Sequence, residues 1–343
     1  MKKILVGIGL AVLILAVWQY ELVAYGLGQA KGQLKIIWHA RPIEEVLQDD
    51  QVADSLKQKI RLAQEVREFA IDSIGVNDSD SYRSLYNQHG KPVLWVVTAC
   101  EPFSMEDKRW SFPILGVFSY KGFFDYNKAK ELRAELKLEG YDTGIRTVSA
   151  WSTLGILDDP LMSGLLFRSE GELANTIVHE LTHATLFVKD SLKFNENLAS
   201  FVGHRGAEAF LSHKYGKSSE QYAEYVNRQY DSRLFAEAML KGGRQLEELY
   251  DSFTPQMKVK EKKSLKTVTI RKILKEAKSL DYRTKRYTVY LDKLLERKEL
   301  PNNTFFKGYV RYQAELASLE TEFDQHQGDI RSYLSFLKVK YGK

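Results

Sequence analysis

Two histidines and a glutamate in the middle of the chain have the spacing of a zinc site. His179, Glu180 and His183 form a His-Glu-x-x-His motif inside an apolar stretch, Ile177 to Phe187, that contains no glycine or proline. Side chains four positions apart lie on one face of a helix, so the two histidines can hold one Zn²⁺ through neutral imidazole nitrogens. Glu180 can then take a proton from a zinc-bound water, because the metal lowers the pKa of that water. The motif predicts the chemistry of a zinc peptidase.

A catalytic zinc site needs a third protein ligand beside a water. Glu196 follows His183 after twelve residues, enough to end one helix, turn near residues 189–191 and begin a second helix with Asn195 as its N-cap. His204, eight residues beyond Glu196, is the alternative third ligand. A pair of helix histidines can also be ordinary polar surface. The apolar residues around these two predict burial instead, and a buried polar group needs a partner.

Composition excludes several other classes of protein. With 343 residues and 44% hydrophobic content, the chain can bury a large core in one or two domains. Its 50 basic and 45 acidic residues leave a net charge of +5, and no basic patch is interleaved with aromatic residues, so we expect no nucleic-acid partner. Cys100 is the only cysteine, which excludes an intrachain disulfide and a cysteine zinc site.

The N-terminus has the pattern of a membrane-targeting segment. Lys2 and Lys3 precede an apolar run from Ile4 to Trp18, which continues past Glu21 to Tyr25. A cleaved signal peptide is one interpretation, but the small-x-small cleavage pattern is absent, which favours an uncleaved transmembrane helix. Lysines before the span stay in the cytoplasm. We therefore predict a single-pass protein of the bacterial cytoplasmic membrane, with its catalytic part on the periplasmic or extracytoplasmic side.

Apolar periodicity predicts an α+β, predominantly helical fold with a small mixed sheet ahead of the motif helix. Strands are expected at Pro92–Ala99 and Phe112–Tyr120, and strand character returns from Tyr141 to Leu157. A helix is expected over Asp125–Glu139, with Gly140 as its C-cap. Four regions follow: a membrane anchor at 1–25, a helical N-terminal region at 26–90, a catalytic core at 91–215, and a C-terminal helical region at 216–343 that completes the site.

The sequence also singles out a segment near the motif, one residue within that segment, and a basic run. Trp151 to Pro160 is predicted to be an edge strand beside the site that pairs with an extended peptide. Asp159 within it is either a turn residue or a carboxylate that orients a ligand histidine. The basic run from Lys258 to Lys298 is a solvated helix face or, alternatively, a contact for an acidic partner or the membrane surface.

Nearly the whole chain resembles a predicted bacterial aminopeptidase family of membrane-anchored or lipidated zincin-type zinc metallopeptidases. The resemblance rests on the following segments: Gly32-Gln33-Leu34, Ala40-Arg41-Pro42-Ile43, Trp110-Ser111-Phe112-Pro113-Ile114, Tyr120-Lys121-Gly122-Phe123-Phe124-Asp125, Gly140-Tyr141-Asp142, Ser152-Thr153-Leu154-Gly155, Asp158-Asp159-Pro160, His179-Glu180-Leu181-Thr182-His183 and Phe194-Asn195-Glu196.

The resemblance implies a zincin-like fold, one zinc per chain held by His179, His183 and Glu196, and a catalytic role for Glu180. It also places Tyr312 where the family has a tyrosine after an Asn-Asn stretch, so Tyr312 is a candidate oxyanion stabiliser or a packing residue. Many relatives have a lipobox cysteine, which this chain lacks. The expected partner is a peptide substrate. The alternatives to an aminopeptidase are an endopeptidase and a catalytically idle membrane-anchored protein that binds zinc.

Overall fold

The computed structural model describes residues 20–112, 116–147, 158–189, 191–310 and 316–341, and most of them are helical. In chain order the helices are α1 (Tyr20–His39), α2 (Ile43–Gln48), α3 (Asp54–Phe69), α4 (Tyr126–Leu138), α5 (Glu170–Thr185), α6 (Leu192–Tyr215), α7 (Glu220–Asp251), α8 (Val259–Lys278), α9 (Arg286–Leu295), α10 (Asn303–Val310), α11 (Leu316–Gln325) and α12 (Ile330–Tyr341). The predominantly helical fold with small sheets that the sequence predicts is confirmed, whereas its zincin-like character stays a prediction.

The strands are short and form three small sheets within the described residues. They are β1 (Arg41–Pro42), β2 (Ser84–Tyr86), β3 (Trp95–Cys100), β4 (Trp110–Phe112), β5 (Gly116–Phe118), β6 (Lys121–Phe123), β7 (Asp142–Thr147) and β8 (Leu161–Met162). The first sheet has the order β1-β2-β8, the second β6-β3-β7, and β4 pairs with β5.

The prediction of one mixed sheet needs correction. The β-branched and aromatic segments lie in the second sheet and in the β4–β5 hairpin, where every pairing is antiparallel. The mixed sheet is the first one, in which β2 runs antiparallel to β1 and parallel to β8. Its strands are only two or three residues long and far apart in the chain, so they have no alternating pattern for sequence reasoning to find.

Helix α4 confirms the helix predicted over 125–139. Asp125 is its N-cap, and one carboxylate oxygen accepts a hydrogen bond of 2.8 Å from the backbone N–H of Asn127. Gly140 has a φ of 96°, a left-handed conformation that glycine adopts without steric cost. Gly140 therefore ends the helix where the sequence predicts.

The first described helix packs on the second sheet. Helix α1 runs without interruption across residues 25 and 26. The Tyr25 ring stacks on Phe112 with ring centroids 5.4 Å apart, and Gln29 Nε2 donates to the carbonyl of Gly122 at 2.9 Å. Within the described part of the chain, no helix is both long and apolar enough to cross a membrane. The predicted span runs from Ile4 to Tyr25. Its residues 4–19 lie outside the described residues, and its last residues, 20–25, form the start of α1. The division into four regions stays a prediction.

Among the residues that the structure describes, three apolar clusters form the core. The largest surrounds α5 and α6 and includes residues from α3, from the first sheet and from the last two helices. The second lies among α7, α8, α9 and α10, and the third lies between β3, β6, β7 and α4. The two helices that carry the His-Glu-x-x-His motif and Glu196 are thus the centre of the largest cluster, which makes their backbones rigid supports.

A group of buried, hydrogen-bonded polar side chains connects the second and third clusters. Asn303 is fully buried: its Nδ2 donates to the carbonyl of Glu101 at 2.8 Å, and its Oδ1 accepts from the Tyr250 hydroxyl at 2.7 Å. Lys266, within the basic run of α8, is also buried and bonds to Asp142. This lysine therefore serves packing, which separates it from the exposed lysines of the same run.

Candidate metal centre

Helix α5 carries the His-Glu-x-x-His motif at its C-terminal half. It begins after Ser169, whose hydroxyl accepts a hydrogen bond of 3.4 Å from the Glu172 N–H, and acidic residues in the first turn suit the positive end of the helix dipole. Its buried face includes Ile177, Val178, Leu181 and His183. This apolar face holds the helix against the core and fixes the direction of the two histidine side chains.

Helix α6 supplies Glu196 from its first turns. The chain turns between Val188 and Ser191, where the Ser191 N–H donates to the Val188 carbonyl at 3.3 Å, close to the predicted turn. The prediction of Asn195 as N-cap is wrong, because α6 begins at Leu192. Asn195 instead accepts from the Val188 N–H and donates to the Val188 carbonyl, both at 2.8 Å. It ties the turn to the helix and thereby fixes the position of its neighbour Glu196.

The structure brings the three predicted ligands together. Nε2 of His179 and Nε2 of His183 are 3.2 Å apart. The Glu196 carboxylate oxygens lie 3.8 Å from His179 Nε2 and 3.5 Å from His183 Nε2. The His183 side chain is 2% exposed and the Glu196 side chain 37%, so the cluster opens towards solvent on the side of the glutamate.

These distances are in the range of a tetrahedral zinc ion. Zinc bonds of 2.0–2.2 Å at tetrahedral angles separate neighbouring ligand atoms by about 3.3 Å. The two imidazole nitrogens are 3.2 Å apart, and Glu196 lies 3.5 Å from His183 through Oε1 and 3.8 Å from His179 through Oε2. Two imidazoles and one carboxylate are also the donor set of a catalytic zinc site with a fourth position for water. The residues present therefore suit zinc in number, type and spacing.

Burial keeps both histidines neutral. It lowers the pKa of His179 to about 3, an effect that the nearby His183 and His204 increase, and it lowers the pKa of His183 to about 4. Burial also raises the pKa of Glu196. Neutral imidazole is the form that binds a metal, so near neutral pH a metal does not have to displace a proton from either histidine.

Glu180 lies beside the three ligands. One of its carboxylate oxygens and one ring nitrogen from each motif histidine lie within 4.8 Å of one another. Glu196, from the second helix, is the predicted third ligand, and the Glu180 carboxylate lies next to the same two histidines. A carboxylate in that position can exchange a proton with a water molecule held there.

His204 is engaged elsewhere. Its Nδ1 lies 2.8 Å from Asn175 Nδ2, which also donates to the Tyr225 hydroxyl at 2.8 Å. Burial lowers the pKa of His204 to about 4. Asn175 lies one helical turn before His179, and His204 is close enough to His179 to lower the pKa of that histidine. Sequence reasoning missed Asn175, although it precedes His179 by four positions on the same helix face.

Glycines allow the two ligand helices to approach closely. A Cβ atom on Gly203 would lie 2.9 Å from the Asn175 carbonyl oxygen and 3.1 Å from the His179 Cβ, and a Cβ on Gly206 would lie 2.8 Å from a methyl of Val178. Seven residues separate Gly203 from Glu196, about two helical turns, so both lie on the α6 face that meets α5. The absence of a side chain at Gly203 therefore sets how near Glu196 comes to the histidines.

Asp159 is buried and is bonded to Tyr82, a residue that sequence reasoning missed. The Tyr82 N–H donates to the Asp159 carbonyl at 2.7 Å, and Tyr82 is 1% exposed with a φ of 65°. Burial raises the pKa of Tyr82 well above its ordinary value, and the Glu180 and Asp159 carboxylates raise it further. A buried tyrosine with a positive φ is strained. Asp159 and Glu180 therefore both lie close enough to Tyr82 to raise its pKa, while Asp158 is exposed.

Two predicted features of the site lie outside the described residues. Tyr312 is one of them. The other is most of the proposed edge strand from Trp151 to Pro160: residues 151–157 lie outside the described residues, whereas residues 158–160 are described, form no strand and directly precede β8. Both stay predictions.

The fold and the site define a predominantly helical protein with small sheets. Two neighbouring helices, α5 and α6, bring His179, Glu180, His183 and Glu196 together. The chain belongs to the family described as "Putative aminopeptidase", whose model matches residues 24–339. Membership of this family indicates peptidase activity. Neither a curated protein nor a solved structure matches the chain.

Proposed function

We propose that the protein is a zinc-dependent peptidase of the aminopeptidase type that acts outside the cytoplasmic membrane. The observation that carries this proposal is the mutual spacing of His179, His183 and Glu196, whose ligand atoms are 3.2 to 3.8 Å apart. Family membership supports peptide hydrolysis, and the donor set supports zinc. The alternative of a catalytically idle zinc protein does not account for Glu180, because a structural metal site has no use for a carboxylate beside the ligands.

Each residue has a separate role in the proposed reaction. His179, His183 and Glu196 would hold the zinc, which when bound polarises the scissile carbonyl and lowers the pKa of water. Glu180 accepts a proton from the attacking water and returns it to the amine of the leaving group. Gly203 and Asn195 keep Glu196 in place. The exposed side of Glu196 is where an extended peptide would enter.

The location outside the membrane rests on the sequence alone. Lys2 and Lys3 before the apolar run from Ile4 to Trp18 favour an anchor with its positive end in the cytoplasm. The proposal therefore expects the chain to remain in membranes after a high-salt wash and to be accessible to protease added from outside. A soluble extracytoplasmic protein beginning after Ala24 would instead show that the segment is a cleaved signal peptide.

Removal of amino-terminal residues requires an acidic group that pairs with the free α-amine of the substrate. Asp158 is the better candidate, because it is exposed whereas Asp159 is 4% exposed. A comparison of free and N-acetylated forms of the same peptides tests this requirement. Faster cleavage of the free peptides supports an aminopeptidase. Equal cleavage of both forms would replace it with an endopeptidase.

Glu180→Gln tests the catalytic assignment itself. Glutamine keeps the size of the side chain but cannot accept a proton, so hydrolysis of a mixed peptide library should fall by a factor of about 10² to 10⁴. Zinc content, measured by metal analysis of the purified protein, should stay near one per chain. Unchanged hydrolysis would exclude Glu180 as the base. Wild-type protein that binds zinc but cleaves no peptide would favour the idle binding protein.

A further inference from the structure

A second concavity lies among β7, α4, α9 and α10, apart from the metal centre. Its volume is about 650 Å³, and no residue that lines it belongs to the ligand cluster. Pockets for small organic ligands commonly have volumes of about 300 to 1,000 Å³. The concavity is therefore large enough for a ligand of its own, and the proposed peptidase chemistry gives it no role.

Three arginines line this concavity without an acidic partner. They are Arg133 on α4, Arg146 on β7 and Arg297 after α9. Arg133 is bound to a neutral group, since its Nε donates to the Thr143 hydroxyl at 3.4 Å. Among the residues that the structure describes, no carboxylate forms an ion pair with any of these guanidinium groups.

The two acidic residues in the lining are paired with lysines. The Lys307 Nζ lies 3.5 Å from Asp107 Oδ2, and the Lys137 Nζ lies 3.6 Å from Glu299 Oε2. Within each pair the positive and negative charges cancel. The three arginines therefore leave the concavity with a net positive charge. An excess of cations in one concave surface raises the local concentration of anions.

The remaining lining can hold a ligand by other contacts. Thr98, Thr304 and Asn302 contribute neutral polar groups, and Tyr290, Phe305 and Tyr309 form an aromatic wall. The Phe305 and Tyr309 rings pack edge to face with centroids 5.5 Å apart. Polar groups beside an apolar wall suit a ligand with an organic body as well as charged groups.

The framework of the concavity is held by hydrogen bonds. Asn302 Nδ2 donates to the Thr143 carbonyl at 3.0 Å, which ties the start of α10 to strand β7. Asn302 Oδ1 accepts from the Thr304 hydroxyl at 2.7 Å. The Asn303 N–H donates to Asp142 Oδ2 at 2.9 Å. These bonds join strand β7 to the start of α10, so a ligand meets a preformed surface there and less ordering is needed on binding.

We propose that this concavity is a binding site for a small organic anion that bears two or more phosphate or carboxylate groups. Guanidinium groups match both kinds of anion through paired hydrogen bonds. Arg146 and Arg297 are exposed, so by themselves they would be ordinary solvated side chains. Their convergence with Arg133 on one concave surface, next to hydroxyl groups and an aromatic wall, distinguishes the site from scattered surface charge. The site shares no residue with the metal centre, so it does not depend on the proposed peptidase activity.

Calorimetric titration of the whole protein with two probes tests the proposal. Inorganic pyrophosphate represents phosphate groups, and benzene-1,3,5-tricarboxylate represents carboxylates on an aromatic body. Saturable binding of one probe per chain is expected for at least one of them, and the tighter probe identifies the preferred anion. Absence of saturable binding of either probe at millimolar concentration would overturn the proposal.

A pair of double variants separates a built site from general positive charge. Arg146→Gln with Arg297→Gln should weaken probe binding at least about tenfold, because two charge-assisted contacts are lost. Arg61→Gln with Arg271→Gln removes the same charge from two exposed positions on α3 and α8 that do not line the concavity, and it should leave the affinity unchanged. Equal weakening in both double variants would show that the probe binds through non-specific charge, and it would overturn the proposed binding site. Thermal unfolding of each variant confirms that it is folded.

Discussion

Gly203 of one ligand helix lies directly against His179 of the other: a Cβ atom on Gly203 would lie 3.1 Å from the His179 Cβ. The same atom would lie 2.8 Å from Asn175 Oδ1 and 2.9 Å from the Asn175 carbonyl oxygen. The backbone oxygen cannot turn away as a side chain can. Any residue larger than glycine must therefore separate α5 from α6, and with them the histidines from Glu196.

Gly203→Ala should accordingly weaken both the fold and the metal site. Overpacking of a close contact costs about 1 to 3 kcal/mol, and the larger separation of Glu196 from the histidines should raise the Kd for zinc. Chemical denaturation and competition with a chelator measure the two effects. Gly28→Ala is the matched control, because nothing lies within 4 Å of that Cβ position. Equal zinc affinity in Gly203→Ala and Gly28→Ala would contradict the link between helix approach and ligand spacing.

The identity of the third ligand can be tested by comparing Glu196→Ala with His204→Ala, with His183→Ala as a reference. Glu196→Ala should greatly reduce zinc affinity, and His183→Ala should do so as well, because the remaining two protein ligands do not hold a catalytic zinc tightly. His204→Ala should retain zinc, because the His204 imidazole is already engaged through its Nδ1, which lies 2.8 Å from the Asn175 amide. Metal analysis after dialysis measures retention. Loss of zinc in His204→Ala together with retention in Glu196→Ala would reverse the assignment.

Loss of the hydroxyl group should change the free energy of unfolding differently at two tyrosines that are both almost fully buried. Tyr82 is 1% exposed and Tyr225 is 2% exposed. The Tyr225 hydroxyl accepts a hydrogen bond of 2.8 Å from Asn175, whereas the Tyr82 hydroxyl has no hydrogen-bond partner among the described residues. Tyr225→Phe should therefore lower the free energy of unfolding by about 0.5 to 1.5 kcal/mol, and Tyr82→Phe should leave it unchanged or raise it. Urea denaturation of both variants gives the comparison, and a marked loss of stability in Tyr82→Phe would contradict it.

Without metal, the protein should lose stability as the pH falls below about 6.5. Burial lowers the folded-state pKa of His179 to about 3 and that of His183 to about 4, from an ordinary value of 6.5. Between those values the unfolded chain binds more protons than the folded chain, so the free energy of unfolding decreases as the pH is lowered. Above pH 6.5 the two groups contribute no further dependence.

Urea denaturation of chelator-treated protein at several pH values between 7 and about 4.5 measures this dependence. His179→Asn should make the plot of the free energy of unfolding against pH flatter. The variant lacks one buried imidazole that binds a proton only after unfolding. His39→Asn is the control, because that histidine is exposed. An equal change of slope in the two variants would show that the effect does not come from the metal centre.

Local spacing accounts for the parts that the sequence predicted correctly. His179 and His183 lie four positions apart, and the helix that places both on one face needs only its own residues to form. The same is true of α4, which Asp125 begins and Gly140 ends. Caps, apolar periodicity and helical spacing act over a few neighbouring residues, so they can be read directly from the chain.

Asn195 shows where local reasoning is insufficient. Its residue type favours an N-cap, but in the structure it bonds to Val188 across the turn, and α6 begins three residues earlier. The first sheet is a similar case, because β2 and β8 are 76 residues apart at the pair Leu85 and Leu161. The energy of such pairings depends on which distant segment packs alongside, and no local pattern records that choice.

The sequence by itself therefore determined the two motif histidines, the neighbouring Glu180 and a helical fold in which they lie on one helix. Only the tertiary structure decided that Glu196 approaches to 3.5 and 3.8 Å of the histidines and that His204 stays with Asn175. The close approach of the two helices depends on Gly203, because a Cβ atom there would lie 2.9 Å from the Asn175 carbonyl oxygen and 3.1 Å from the His179 Cβ. The arginine-lined concavity is also a product of tertiary structure, because Arg133, Arg146 and Arg297 come from three separate elements that long-range packing brings together.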